Sequence, residues 1–126
     1  MPGVFEICVE AHFSAAHSLS GYHGDCAHVH GHNWIVEVFV TCRELNAIGI
    51  GIDFRDLRKI IKDIIKDLDH SYLNEHSEFT RINPSSENIS KFLYKELGKK
   101  INSHTVQVSK VKVSETRGAG AYYWEE

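Results

Sequence analysis

From Val4 to His12, apolar residues at Phe5, Ile7, Val9 and Ala11 alternate with Glu6, Cys8, Glu10 and His12. A period of two is the mark of a strand with one buried face. The alternation returns at Trp34, Val36, Val38 and Val40, set against Asn33, Glu37 and Thr41, and predicts a second strand. Between the two, residues Ser18 to Val29 carry glycines and histidines without a period and read as a loop. After a Gly-containing link at Asn46 to Gly51 the period changes. Leu57, Ile60, Ile61, Ile64, Ile65 and Leu68 fall at helical spacing behind Asp53, a side chain able to cap, so a helix is expected to end near Asp69 and His70. A second helix is announced by Asn83-Pro84-Ser85-Ser86-Glu87-Asn88 and carried by Ile89, Phe92, Leu93, Leu97 and Ile101. The stretch Val106 to Glu115 is β-branched, but its apolar phase shifts between Val106/Val108 and Val111/Val113. We therefore expect a loop or bulge before a strand at about Ser109 to Glu115. Gly118-Ala119-Gly120 then turns into a last strand at Ala121 to Trp124.

The order ββααββ predicts an α+β fold, an antiparallel four-stranded sheet with two amphipathic helices covering one face. A length of 126 residues fits one domain, 1–126. Four strands leave two open edges, which implies pairing between subunits and hence a homo-oligomer. Hydrophobic content of 42% and charged content of 25% are those of a soluble globular chain, and no apolar run reaches the ~18 residues of a membrane span. The N-terminus has neither a basic start nor a long apolar stretch, so it reads as no signal peptide and the protein as cytoplasmic. Cys8, Cys26 and Cys42 form no Cys-x-x-Cys pair and are odd in number, which favours free thiols in a reducing compartment. A net charge of −3 without a Lys/Arg cluster argues against nucleic acid as a partner.

Six of nine histidines fall between His12 and His32, and the run Cys26-Ala27-His28-Val29-His30-Gly31-His32 holds three of them. If the second strand continues back through Gly31, His30 and His32 lie two apart and project to one face. His17 can supply a third imidazole. Three neutral histidines with one open position form the ligand set of a catalytic zinc site. His12, His23 and His28 are read as bystanders, each open to service as a fourth ligand or a substrate contact. Cys26 is open to three roles: fourth ligand, inert thiol or catalytic thiolate. Its histidine-rich loop favours a lowered pKa and catalysis. Cys8 and Cys42 read as strand residues without a chemical role. Asp69-His70 offers a proton-transfer group beside a carboxylate able to orient it, and Glu115 a carboxylate able to accept two N–H bonds from a guanidine-like ring edge. Taken alone, the spacing favours a helix C-terminus that prefers a histidine for its dipole and a solvated strand end.

Phe13-Ser-Ala-Ala-His17, Cys26-Ala-His-Val-His30-Gly-His32, Asp69-His70, Pro84-Ser-Ser-Glu-Asn88 and Glu115-Thr116, in that order, resemble the 6-pyruvoyltetrahydropterin synthase / 6-carboxytetrahydropterin synthase family. The resemblance covers nearly the whole chain. It implies that His17, His30 and His32 bind zinc, that Cys26 is a general base, that Asp69 and His70 complete a proton relay, and that Glu115 anchors a pterin ring. It also implies the tunnelling fold, in which trimers form a barrel and pair into hexamers, so that Asp69 and His70 reach a neighbouring subunit's Cys26. Within the family, three residues between the cysteine and His-Gly-His mark the 6-carboxy enzymes of queuosine biosynthesis, whereas five mark the 6-pyruvoyl enzymes. Here there are three, Ala27, His28 and Val29. The implied substrate is 7,8-dihydroneopterin triphosphate and the implied products are 6-carboxytetrahydropterin, acetaldehyde and triphosphate. One departure is Ser85, where the family commonly has threonine. Two alternatives stand beside this reading: the 6-pyruvoyl activity, and a non-catalytic zinc-binding protein whose Cys26 closes a four-ligand site.

Overall fold

The computed structural model describes residues 3–22, 24 and 27–126. The chain runs β1 (Phe5–His17), β2 (His30–Cys42), α1 (Phe54–Ile65), β3 (Ser71–Tyr72), two 3₁₀ turns (Leu73–Glu75 and Ser77–Phe79), α2 (Ser86–Ile101), β4 (Val106–Thr116) and β5 (Ala119–Tyr123). The class is α+β, as expected, but the sheet is not the four-stranded antiparallel one. It has five strands in the order β3-β1-β2-β4-β5, and β3 pairs with β1 in parallel through Ala15↔Ser71 and Ala16↔Tyr72. A two-residue strand is too short to leave a periodic signature, and the turns after it bury Leu73 and Phe79 instead.

β1 and β2 are each longer than their apolar alternation. They pair along thirteen positions, from Phe5↔Cys42 to His17↔His30. The inward rows are Val9, Phe13 and Ala15 on β1, and Trp34, Val36, Val38 and Val40 on β2, all buried. β4 is also longer than expected and runs straight through the phase change. Phe39 pairs with Lys110 and Val40 with Val108, so Ser109 is the extra residue of a bulge. The bulge moves the parity by one, which lets Val108 and both Val111 and Val113 face the core.

The helices cover that same face, α1 against β1 and α2 against β4 and β5. Leu57, Ile61 and Ile65 of α1 and Ile89, Leu93, Leu97 and Ile101 of α2 bury the stripes that the spacing announced. Asp53 caps α1, its Oδ1 accepting from the N–H of Arg55 at 2.7 Å. Ser85 caps α2, its Oγ accepting from the N–H of Asn88 at 3.1 Å, so Pro84 lies just outside the first turn. α1 ends at Ile65, short of Asp69 and His70, and the chain turns through His70 in the left-handed region at φ 58°. Among the described residues no helix is long and apolar enough to cross a membrane.

Candidate active site

At one end of the sheet the inward rows change character. The β1 row that runs Val9, Phe13, Ala15 ends in His17; the β2 row begins His30, His32 before Trp34; the β4 row Val111, Val113 ends in Glu115. These three strands are neighbours, so the period that builds the core also delivers three imidazoles and a carboxylate to one corner. His17 is opposite His30 and Ala15 opposite His32. One donor atom from each of His17, His30, His32 and Glu115 lies within 4.8 Å of the others. Trp34 forms the floor, its ring centroid 4.8 Å from His17 and 5.2 Å from His32 at near-perpendicular angles.

Backbone carbonyls fix two of the rings. His17 Nδ1 is 2.7 Å from the Pro84 carbonyl and His30 Nδ1 is 2.7 Å from the His28 carbonyl. An Nδ1–H that donates to a carbonyl leaves Nε2 with its lone pair outward, the arrangement that metal-bound histidines share. His17 is fully buried, and burial holds its pKa below the usual histidine value, chiefly against the Pro84 contact. Burial lowers that of His32 as well. Neutral imidazoles are the ligating form. The Nε2 atoms of His17 and His32 are buried without a hydrogen-bond partner among the described residues. Buried polar atoms are seldom left so, and two aimed at one point fit a cation. The donor set therefore fits the implied metal on the chain's own chemistry.

The lead-in to α2 holds His17 in place. Asn83 exchanges two hydrogen bonds with the backbone of Ser20, both 2.9 Å, and Asn74 does the same with Ser18 at 3.0 and 2.9 Å. Asn88 Nδ2 donates to the Asn83 carbonyl at 2.9 Å. These asparagines and the Pro84 carbonyl carry no spacing signal, and sequence reasoning missed them. The pattern alone reads Glu115 as a solvated strand end, although its place two steps from Val113 is a signal that it lies on the inward face.

Asp69 and His70 form a separate pair, 3.0 Å apart between Asp69 Oδ2 and His70 Nδ1. Both are tied to β1: Asp69 Oδ1 accepts from the N–H of Ser14 at 2.9 Å, and the His70 N–H donates to the Ser14 carbonyl at 2.6 Å. The Ser14 N–H, then the bond from His70, hold the Asp69 carboxyl below its usual value. The His70 side chain is 82% exposed and stands outside the histidine cluster. His12 pairs with Glu10 at 2.7 Å on an exposed part of β1, away from the cluster. Cys26 and His23 lie outside the described residues.

A worm protein offers the first comparison. The solved 6-pyruvoyl tetrahydropterin synthase of Caenorhabditis elegans superposes with a TM-score of 0.87 over 98% of this chain and 97% of that one, at 22% identity, which speaks to the fold. A protein of Archaeoglobus fulgidus, provisionally named a 6-carboxy-5,6,7,8-tetrahydropterin synthase, is 39% identical over 104 residues, 82% of this chain and 85% of that one. The enzyme of that name from Bacillus subtilis is 33% identical over 74% of this chain, and the match spans 65% of its own length. Such proteins are tetrahydropterin synthases, which are lyases, and the chain is an enzyme of that class. The family model for 6-pyruvoyl tetrahydropterin synthase matches residues 6–126, and the chain belongs to that family.

Proposed function

We propose that this chain is a zinc-dependent 6-carboxy-5,6,7,8-tetrahydropterin synthase of queuosine biosynthesis. It takes 7,8-dihydroneopterin triphosphate and one water to 6-carboxytetrahydropterin, acetaldehyde and triphosphate. The observation that carries the reading is the convergence of His17, His30 and His32 at the end of the core rows, with two rings fixed in the ligating tautomer. The three-residue spacing from Cys26 to His30 and the names of the relatives from A. fulgidus and B. subtilis favour the 6-carboxy over the 6-pyruvoyl product.

In this mechanism His17, His30 and His32 hold the cation. When bound, zinc supplies Lewis-acid polarisation of a substrate side-chain oxygen, which lowers the cost of removing the proton beside it. Cys26, as thiolate, takes that proton. Asp69 fixes the His70 ring through Nδ1, leaving Nε2 to move protons as triphosphate leaves and the side chain is cleaved. Glu115 accepts paired N–H bonds from the pterin ring edge. The exposure of His70 supports an assembly in which the pair serves a neighbouring subunit, a trimer or hexamer of single-domain chains 1–126. The free thiols of Cys8 and Cys42 support a cytoplasmic location.

The test is product analysis. Zinc-loaded protein is incubated with 7,8-dihydroneopterin triphosphate, acetaldehyde is trapped, and the pterins are weighed by mass spectrometry beside a Cys26→Ala control. The expected result is 6-carboxytetrahydropterin with acetaldehyde, lost in the control while zinc is retained. Formation of 6-pyruvoyltetrahydropterin without acetaldehyde would move the chain to the sister activity. Loss of zinc in the control would favour the closed, non-catalytic site.

A further inference from the structure

The contacts between Glu115 and the two imidazoles do not work as hydrogen bonds. Glu115 Oε2 lies 3.2 Å from His17 Nε2 and 3.3 Å from His32 Nε2, yet neither nitrogen has a hydrogen-bond partner among the described residues. At His17 the reason is plain. Its Nδ1 proton is given to Pro84, so in the neutral ring Nε2 presents a lone pair to a carboxylate oxygen, acceptor against acceptor. Among the described residues this carboxylate has no ion-pair contact with a lysine or arginine, only with these two rings. An acceptor set of this kind is stable around a cation. The spacing agrees: donor atoms about 2.0–2.1 Å from a four-coordinate zinc sit about 3.3 Å from each other.

The backbone has a device that aims the side chain there. β4 and β5 pair at Ser114↔Gly120 and next at Thr116↔Ala119, so Glu115 is the unpaired residue of a second bulge. Bulges re-aim a side chain, and this one sits where the inward row of β4 reaches the histidines. We infer that Glu115 is a fourth ligand of the metal centre in the substrate-free protein, closing the position that the three histidines leave open. This rests on the metal reading above and adds to it. A carboxylate held there must leave the cation when substrate arrives, which makes Glu115 a gate on the open position.

The experiment uses the metals alone. Zinc affinity is measured by competition with a chromophoric chelator, and the Co2+ form is followed by visible absorption, for the wild type, Glu115→Gln, Glu115→Asp and His30→Ala. Glutamine keeps the shape, so folding is retained, and circular dichroism checks it. The expected result is that Glu115→Gln weakens zinc binding at least about tenfold, the lower end of what even outer partners of a ligand contribute, and alters the Co2+ bands. Glu115→Asp, one methylene short, falls between. Zinc affinities within twofold and superimposable Co2+ spectra, with binding lost only in His30→Ala, would remove Glu115 from the centre and leave the three-histidine reading intact. A wild type that binds neither metal would take down both.

Discussion

Gly120→Ala is the substitution that most directly couples the fold to the site. A Cβ at this position would collide with Ser114 Oγ and lie 3.0 Å from Ser114 Cβ and 3.1 Å from the Val113 carbonyl oxygen. The hydroxyl can rotate away. The other two atoms belong to the stem of a side chain buried at 3% exposure and to the backbone, so β4 and β5 must part by a few tenths of an ångström at the bulge that carries Glu115. Overpacking of this kind costs about 1–3 kcal/mol, and alanine in place of glycine in a strand returns about 0.5–1 kcal/mol. A net loss of about 1–2 kcal/mol is expected, which for a chain of 126 residues is a Tm lower by about 4–8 °C. Urea unfolding at fixed protein concentration, in the presence of chelator, measures it. The pair should couple: Ser114→Gly removes both side-chain atoms in the way, so the double variant should be more stable than the sum of the singles by at least about 0.5 kcal/mol. An additive cycle, or Gly120→Ala as stable as the wild type, would refute the claim that a Cβ at this position competes with Ser114 for space.

Two further outcomes follow from the site. Burial depresses the folded pKa values of His17 and His32, so the unfolded chain binds more protons once pH falls through about 6.5. Metal-free protein should therefore lose stability from about pH 7 downward, seen as a falling urea midpoint. A midpoint flat between pH 8 and pH 5.5 would contradict the burial argument. His70 holds a left-handed φ of 58° that costs a residue with a Cβ about 1–2 kcal/mol. His70→Gly should thus unfold no earlier than wild type, and His70→Val earlier than both, while product formation is lost in each. A glycine variant markedly less stable than wild type would show that the imidazole, not the backbone, is what the turn depends on.

Much of the fold can be read from period two, and its failures have physical causes. The expected β1 ends at His12, although Phe13, Ser14 and Ala15 carry the alternation on; Ala16 breaks it and the inward row ends in His17 rather than in an apolar side chain, while the chain continues to pair. The same holds at the start of β2, where His30 and His32 stand in place of further core residues. The phase change near Ser109 was legible as a bulge, but not the continuity of the strand through it, since backbone pairing depends on the partner's register. β3 has two residues and no hydrophobic pattern to announce it. At the site, period two places His30 and His32 on one face, because it fixes their direction; His17 lies beyond the expected strand and enters only as a candidate third imidazole. Spacing could not find the Pro84 and His28 carbonyls that orient the rings, because any residue carries a carbonyl. Asp69 and His70 were read as a helix end, whereas the helix stops at Ile65 and the pair is instead held to β1 by the N–H and carbonyl of Ser14.

The position of the cluster suits what the proposed metal-binding corner would need. Its donors require one dry side, where burial keeps imidazoles neutral, and one side from which a substrate can enter. The last position of a core row offers both: His17 at the end of the β1 row is fully buried against Trp34, while Glu115 at the end of the β4 row is 31% exposed. A donor placed one step further in would sit among Phe13, Ala15, Trp34 and Val113. The cost falls on the metal-free fold, where a buried nitrogen without a partner is worth about 1–3 kcal/mol of destabilisation and this corner has two of them. Replacing His17 by a residue of the Val9, Phe13, Ala15 row should accordingly be tolerated by the fold far better than by the function. On the proposed metal reading, a divalent cation would remove the same penalty from both nitrogens at once, which would link metal binding to folding through these two atoms.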